Sequence, residues 1–185
     1  MFFFGTLMDA DVLRLVTGRD LTVEQAEIAR FRRVFVHNRN YPMLVPHPSG
    51  RVPGMLAHDL DRDAVTRLLL FEGHEYHLVP LRVLSNEGHP LLAGTFLCDR
   101  VVLPGHQEWH LSVWQRRFKR PFLRRAAELM QRYGTKARLR RDAGGMPVVA
   151  QLAPKPPKML SGMPQRERQW MMGVPASEVD PLHEG

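Results

Sequence analysis

The sequence predicts an α+β fold, a small antiparallel barrel or bent sheet with helices around it. Three observations point there. Residues 26–98 are mostly short strand-like segments joined by links of hairpin length. Two capped helical patterns, near 9–18 and 61–72, sit before and among them. A longer helical pattern starts at Ser112, after the strands end.

The elements follow in order. Phe2, Phe3 and Phe4 form a short buried strand ended by Gly5-Thr6. Asp9 is an N-cap for a helix through Val12, Leu13, Leu15 and Val16, closed by Gly18. Such a strand, glycine turn and helix aim backbone N–H groups at the helix N-terminus, a ready anion or oxyanion site. Ala29 to Val36 reads as a half-exposed strand, with Phe31, Val34 and Val36 set against Arg30, Arg32 and Arg33. A loop from Asn38 to Pro42 precedes a short strand Met43-Leu44-Val45, which Pro46 ends. Pro48-Ser49-Gly50 reads as a turn and Val52 to Ala57 as another strand, where Pro53 and Gly54 favour an edge, a bulge or a bend.

Asp61 caps a second helix with Ala64, Val65, Leu68 and Leu69 on one face; it ends near Phe71. Tyr76 to Val83 pairs with Leu91 to Cys98 across a loop containing Asn86, Gly88 and Pro90. Ser112 and Gln115 then fit a capping box. Phe118, Phe122, Leu129, Met130 and Tyr133 recur near helical spacing; Pro121 kinks or splits that helix and Gly134 closes it. After Gly144-Gly145 no period is sustained, so an extended or disordered tail is expected, tied down by Trp170. The expected organisation is a barrel domain over 1–110, a basic helical extension over 111–143 and a tail over 144–185, with no internal repeats.

Composition narrows the function. The 185 residues are 44% hydrophobic, enough for one sizeable core. No stretch approaches the ~18–20 apolar residues of a membrane span. Met1-Phe2-Phe3-Phe4 is too short for a signal peptide, so a cytoplasmic protein with no membrane partner is expected. Cys98 is the single cysteine, which excludes an internal disulfide and a multi-cysteine zinc site. Its strand context reads as a buried structural thiol. His74 and His77 lie one residue too close for the zinc helix motif, and His106 and His110 follow directly on the Pro104-Gly105 turn. No metal and no cofactor is expected. There is no GxSxG elbow, and Gly5 alone makes no phosphate loop.

The net charge of +7 is unevenly placed. Residues 1–115 carry a formal −2 and residues 142–185 a formal −1, whereas 116–141 hold 11 Lys/Arg against Glu128 alone. Such a block is ordinarily the solvated face of a helix, and it is also the segment through which a nucleic acid would bind.

Glu72 is the candidate catalytic residue. It follows Leu68-Leu69-Leu70-Phe71 and precedes Gly73, where the backbone can turn sharply. A Glu at a helix end is ordinarily a solvated charge. Here an apolar run and the negative end of the helix dipole both disfavour the ionised form, raising the pKa toward the range of a general acid or base.

Several segments, in order, resemble one family: Phe3-Phe4-Gly5-Thr6-Leu7-Met8, Tyr41-Pro42-Met43-Leu44-Val45-Pro46, Val52-Pro53-Gly54-Met55-Leu56, and Leu70-Phe71-Glu72-Gly73-His74-Glu75-Tyr76. Over residues 2–100 the chain is similar to the gamma-glutamylcyclotransferase-like superfamily. Phe4 stands where that family typically has Tyr, and Leu69 where it often has Asp. The resemblance implies a small mixed or antiparallel β-barrel flanked by helices, here with a C-terminal helical extension. It implies that Phe4, Gly5, Thr6 and Leu7 bind substrate through backbone groups, with Glu72 as acid/base. The reaction would release 5-oxoproline from a γ-glutamyl amine or peptide, the free α-amine attacking its own γ-carbonyl. One raised-pKa carboxyl can serve both proton transfers that this chemistry needs. Tyr41 and Tyr76 read either as substrate-binding residues or as core aromatics with a wet hydroxyl. A non-catalytic small-molecule or partner-binding protein that keeps the barrel pocket is the alternative. No oligomeric state follows from the pattern.

Overall fold

The computed structural model describes residues 1–98 and 102–142 of the chain. Strands β1 (Phe2–Phe3), β2 (Val23–Val36), β3 (Pro42–Ala57), β4 (Tyr76–Ser85), β5 (Pro90–Cys98) and β6 (Pro104–Glu108) alternate with helices α1 (Ala10–Thr17), α2 (Arg62–Glu72), α3 (Leu111–Arg117) and α4 (Lys119–Asp142). A single 3-10 turn, Thr6–Met8, follows β1. Five strands close in the order β3-β1-β5-β4-β2, with β2 pairing back onto β3, and β6 adds to β2 outside that ring. The pairings are antiparallel except β1 with β5, where Phe2 faces Thr95 in parallel register. The fold is therefore a closed mixed barrel with helices around it.

The predicted caps are where the sequence places them. Asp9 Oδ1 accepts from the N–H groups of Asp11 and Val12, and Gly18 closes α1 in the left-handed conformation. Asp61 accepts from Ala64 N–H at the start of α2. Phe118 separates α3 from α4, leaving Pro121 in the first turn of α4, where a missing N–H costs little.

Five local readings are corrected. Met43–Val45 and Val52–Ala57 are parts of one strand, because β2 is continuous and offers partners on both sides of the interruption. Register passes from Ala29↔Arg51 to Phe31↔Pro46, so residues 47–50 bulge opposite Arg30, whose φ is 67°. Of the edge, bulge or bend expected at Pro53 and Gly54, the edge and the bulge are excluded: β3 is flanked by β1 and β2 in regular register there, and a Cβ on Gly54 would lie 2.4 Å from the Phe2 ring. Pro104-Gly105 begins a strand, β6, whose mostly exposed residues give no alternation to read. The capping box at Ser112 is absent, since His110 is the N-cap and makes no side-chain capping bond. Gly134 does not end the helix; α4 runs on to Asp142. The tail after Gly144, including Trp170, lies outside the described residues.

Two apolar clusters organise the molecule. Phe2, Ile28, Phe31, Leu44 and Leu81 fill the barrel. Phe3, Val12, Leu68, Phe96, Trp114 and Met130 join its outer wall to all four helices' side of the fold, with Phe122 packed against them. Burying side chains this size stabilises by roughly 1.5–3 kcal/mol each, against ~0–1 for an exposed ion pair. The basic segment is thus docked mainly by its apolar face, with the largely buried Lys119–Asp9 pair beside it.

Candidate active site

The turn after β1 is shaped by proximity. Gly5 lies against Pro42, and a Cβ there would come 2.8 Å from the proline Cγ. Its carbonyl accepts from Met8 N–H at 3.0 Å, closing the 3-10 turn. The N–H groups of Thr6 and Leu7, first in that turn, have no carbonyl of the turn to bond. The N-terminus of α1, by contrast, is occupied by its own Asp9 carboxylate. The anion site expected at the α1 N-terminus is therefore filled by the chain's own carboxylate.

Arg33 anchors this turn from behind. Its strand position reads as exposed, but the bulge at Arg30 resets the alternation and buries it. The guanidinium donates to the carbonyls of Phe4 at 2.8 Å, Pro53 at 3.2 Å and Trp109 at 3.1 Å, and lies 5.1 Å from the Trp109 ring centroid. Burial lowers its pKa, while Glu108 acts the other way. A planar fork with several donors satisfies separated carbonyls better than an ammonium would.

Glu72 is the last residue of α2, and Gly73 follows with φ 70°, a conformation glycine takes without strain. The turn sends the chain into β4 and leaves the Glu72 side chain over a cavity of ≈ 340 Å³. Phe71, Phe96 and Phe122 are among its apolar walls. The residue is half-buried, yet desolvation of its carboxyl pushes the pKa up to about 8. Among the described residues it has no hydrogen bond and no ion pair. It is a carboxyl kept neutral at neutral pH by its surroundings.

Every residue singled out from the sequence lines this cavity: Phe4, Gly5, Thr6, Leu7, Tyr41, Glu72 and Tyr76. Phe4 is buried and, unlike a tyrosine, brings no hydroxyl. Tyr76 donates to Pro42 O at 2.8 Å, and burial raises its pKa well above the usual value. Tyr41 donates to Glu75 Oε2 at 2.9 Å, and burial, reinforced by Glu75, pushes its pKa to about 12. Both hydroxyls are thus hydrogen-bonded at the cavity wall.

The sequence reading missed Asn40, Glu75 and the α4 residues Phe122, Arg125, Ala126 and Leu129, which complete the lining. Glu75 stands beside Glu72 in the same motif, which was a readable signal. The α4 wall carried none, because its residues lie about 50 positions away in a segment that reads as a basic surface. Two contacts bring it in: Phe122 meets Phe71 edge-on at 5.9 Å and Trp114 at 5.0 Å. Lys119 then pairs with Asp9 at 2.8 Å and Asp11 at 2.7 Å, and Gln115 donates to Asp9 at 2.7 Å. Among the described residues no group of three or more His, Cys, Asp or Glu could hold a metal, and no helix is long and apolar enough to cross a membrane.

A closed mixed barrel with a glycine turn and a carboxyl facing one cavity defines a protein of cyclotransferase-type fold. Residues 1–116 match the family model described as gamma-glutamyl cyclotransferase, AIG2-like, and the chain belongs to that family. It is similar to AIG2-like protein A of Arabidopsis thaliana, 26% identical over 133 residues, covering 71% of this chain and 81% of that one. A solution structure from the same plant aligns with TM-score 0.50 and 25% identity over 70% of this chain and 89% of its own. A second solution structure from that plant, 16% identical with TM-score 0.50 over 82% and 89%, shares the fold.

Proposed function

We propose that the protein is a cyclotransferase that releases 5-oxoproline from a γ-glutamyl amine or peptide, with Glu72 as general acid/base. One observation carries this reading: Glu72, whose carboxyl has no partner among the described residues, and Gly5, Thr6 and Leu7 line the same cavity. The α-amine attacks the γ-carbonyl carbon, a ring C–N bond forms, and the original γ-amide C–N bond breaks. Glu72 takes the proton the nucleophilic nitrogen must lose and passes it to the departing amine. A neutral Glu72 with a free amine carries the same total charge as a carboxylate with an ammonium, so the pocket holds one proton between the two. The N–H groups of Thr6 and Leu7 serve the developing oxyanion or the substrate carboxylate. Confinement of the glutamyl chain supplies the entropic advantage.

The test is 5-oxoproline release by Glu72→Gln across γ-glutamyl amines and peptides, with circular dichroism as the fold control. Loss by ~10²–10⁴-fold in a folded variant is expected; full activity would sink the mechanism. A second reading, a non-catalytic binding protein that keeps the pocket, is favoured by Phe4, which offers no hydroxyl where the family typically has one. It would be recognised by saturable binding of γ-glutamyl compounds without turnover.

A further inference from the structure

Arg125 stands apart from the rest of the basic segment. Arg116, Arg117, Arg120, Arg124 and Arg132 are exposed and are not among the residues lining the cavity that holds Glu72. Arg125 is exposed too, but it lines the cavity that holds Glu72. It is the one cationic side chain among the described residues of that lining, which also includes the neutral Glu72 carboxyl and Glu75. Among the described residues it has no hydrogen bond and no ion pair, whereas Glu75 is already held by Tyr41.

Its position is fixed. Phe122 packs on Phe71, the neighbour of Glu72, and Arg125 lies three residues on, on the same side of α4 and ~4.5 Å further along its axis. The cavity also has a direction. Phe4 and the Gly5 turn form its buried end, while Arg125 and Leu129, the latter 38% exposed, form its open end. The glutamyl half must bring its α-amine and γ-carbonyl to Glu72 and the turn, so the amine half extends toward the open end.

We propose that Arg125 pairs with a carboxylate on the leaving half, and that the preferred substrates are γ-glutamyl amino acids or peptides over γ-glutamyl amines without that charge. This rests on the cyclotransfer reading. A guanidinium matches a carboxylate in a two-point hydrogen-bonded geometry, and Leu129 beside it offers an apolar surface to the leaving side chain. The wall that discriminates lies beyond residue 116, where the family model's match ends.

The experiment compares γ-glutamyl-alanine with γ-glutamyl-ethylamine, which differ only in that carboxylate. The wild type is expected to favour the first by tenfold or more in kcat/KM. Arg125→Gln should cut that ratio at least tenfold and Arg125→Lys should restore part of it, while Arg124→Gln and Arg132→Gln leave it unchanged. A ratio unaltered by Arg125→Gln overturns the proposal. So does an equal loss on both substrates, which would mean that Arg125 reads the α-carboxylate common to both. If the wild type releases 5-oxoproline from neither compound, the cyclotransfer reading falls, and calorimetric titration of both compounds decides the rest. Carboxylate-dependent binding lost in Arg125→Gln sustains the Arg125 site. Equal binding, or none, overturns it as well.

Discussion

The two walls of the cavity are built on different principles. The barrel wall, residues 2–7 and 71–76, supplies the glycine turn and one carboxyl in apolar surroundings that has no partner among the described residues. It is held by covalent neighbours and strand pairing. The α4 wall comes from a segment of opposite character, strongly basic and distant in sequence, held by Trp114, Phe122 and Met130 and by the Asp9–Lys119 pair. On the proposed reading the first wall serves the chemistry and the second the fit. Changes on the first should therefore cost rate, and changes on the second should cost stability or selectivity.

The largest break would come at Glu72, and its pH dependence sharpens the test. Glu72 is at about 8 against an ordinary 4.5. A reaction that needs the ionised carboxyl should show kcat/KM rising with pH toward about 8, and Glu72→Gln should abolish that limb with the activity. The same shift acts on stability with a definite sign. The folded chain holds the proton more tightly than the unfolded one, so its stabilising effect is complete below about 4.5 and is lost as pH rises through about 8. Glu72→Gln should flatten that fall in Tm; an unchanged slope would show that Glu72 is not desolvated.

Next in size is Trp114→Ala. Trp114 is fully buried between Trp109 and Phe122, and ~3–5 kcal/mol is expected from chemical denaturation. A loss under 1 kcal/mol would mean that the α4 wall is not docked by its aromatic face. Gly5→Ala meets the Pro42 ring at 2.8 Å and should cost ~1–3 kcal/mol through displacement of the turn, with kcat falling more than Tm. Equal activity would remove the turn from the site. Asp9→Ala removes a helix cap and the partner of Lys119 and Gln115 together, for ~1–2 kcal/mol. Burial alone would raise the Asp9 pKa, but Lys119, Gln115 and the Val12 N–H outweigh it and hold it below 3.8. That contribution is therefore present above pH 3.8 and lost as pH falls through the lower folded value. Thermal scans on both sides of that range should show the difference between wild type and variant shrinking in acid.

Much of the barrel wall was legible because its cues are local. Asp9, Gly18, Asp61 and Gly73 act on their immediate neighbours, and the run Leu68–Phe71 announces the apolar setting of Glu72 within four residues. Reading failed where a distant partner sets the geometry. β2 made one strand out of what Pro46 and Pro48 divide, and the bulge at Arg30 turned Arg33 from surface to core. Polar β6 has no pattern of its own and exists because β2 offers it hydrogen bonds.

The sequence by itself determined the strand-and-helix class, the capped ends of α1 and α2, and Glu72 at a helix terminus beside apolar residues. Each depends on interactions spanning one or two turns, which composition and spacing encode directly. Only the tertiary structure decided that the barrel closes with β1 parallel to β5, that Arg33 braces the Gly5 turn, and that Arg125 reaches the cavity of Glu72. Those bring together residues 29 to 93 positions apart. Such contacts are selected by how whole surfaces pack together, and no local pattern of charge or hydrophobicity specifies them.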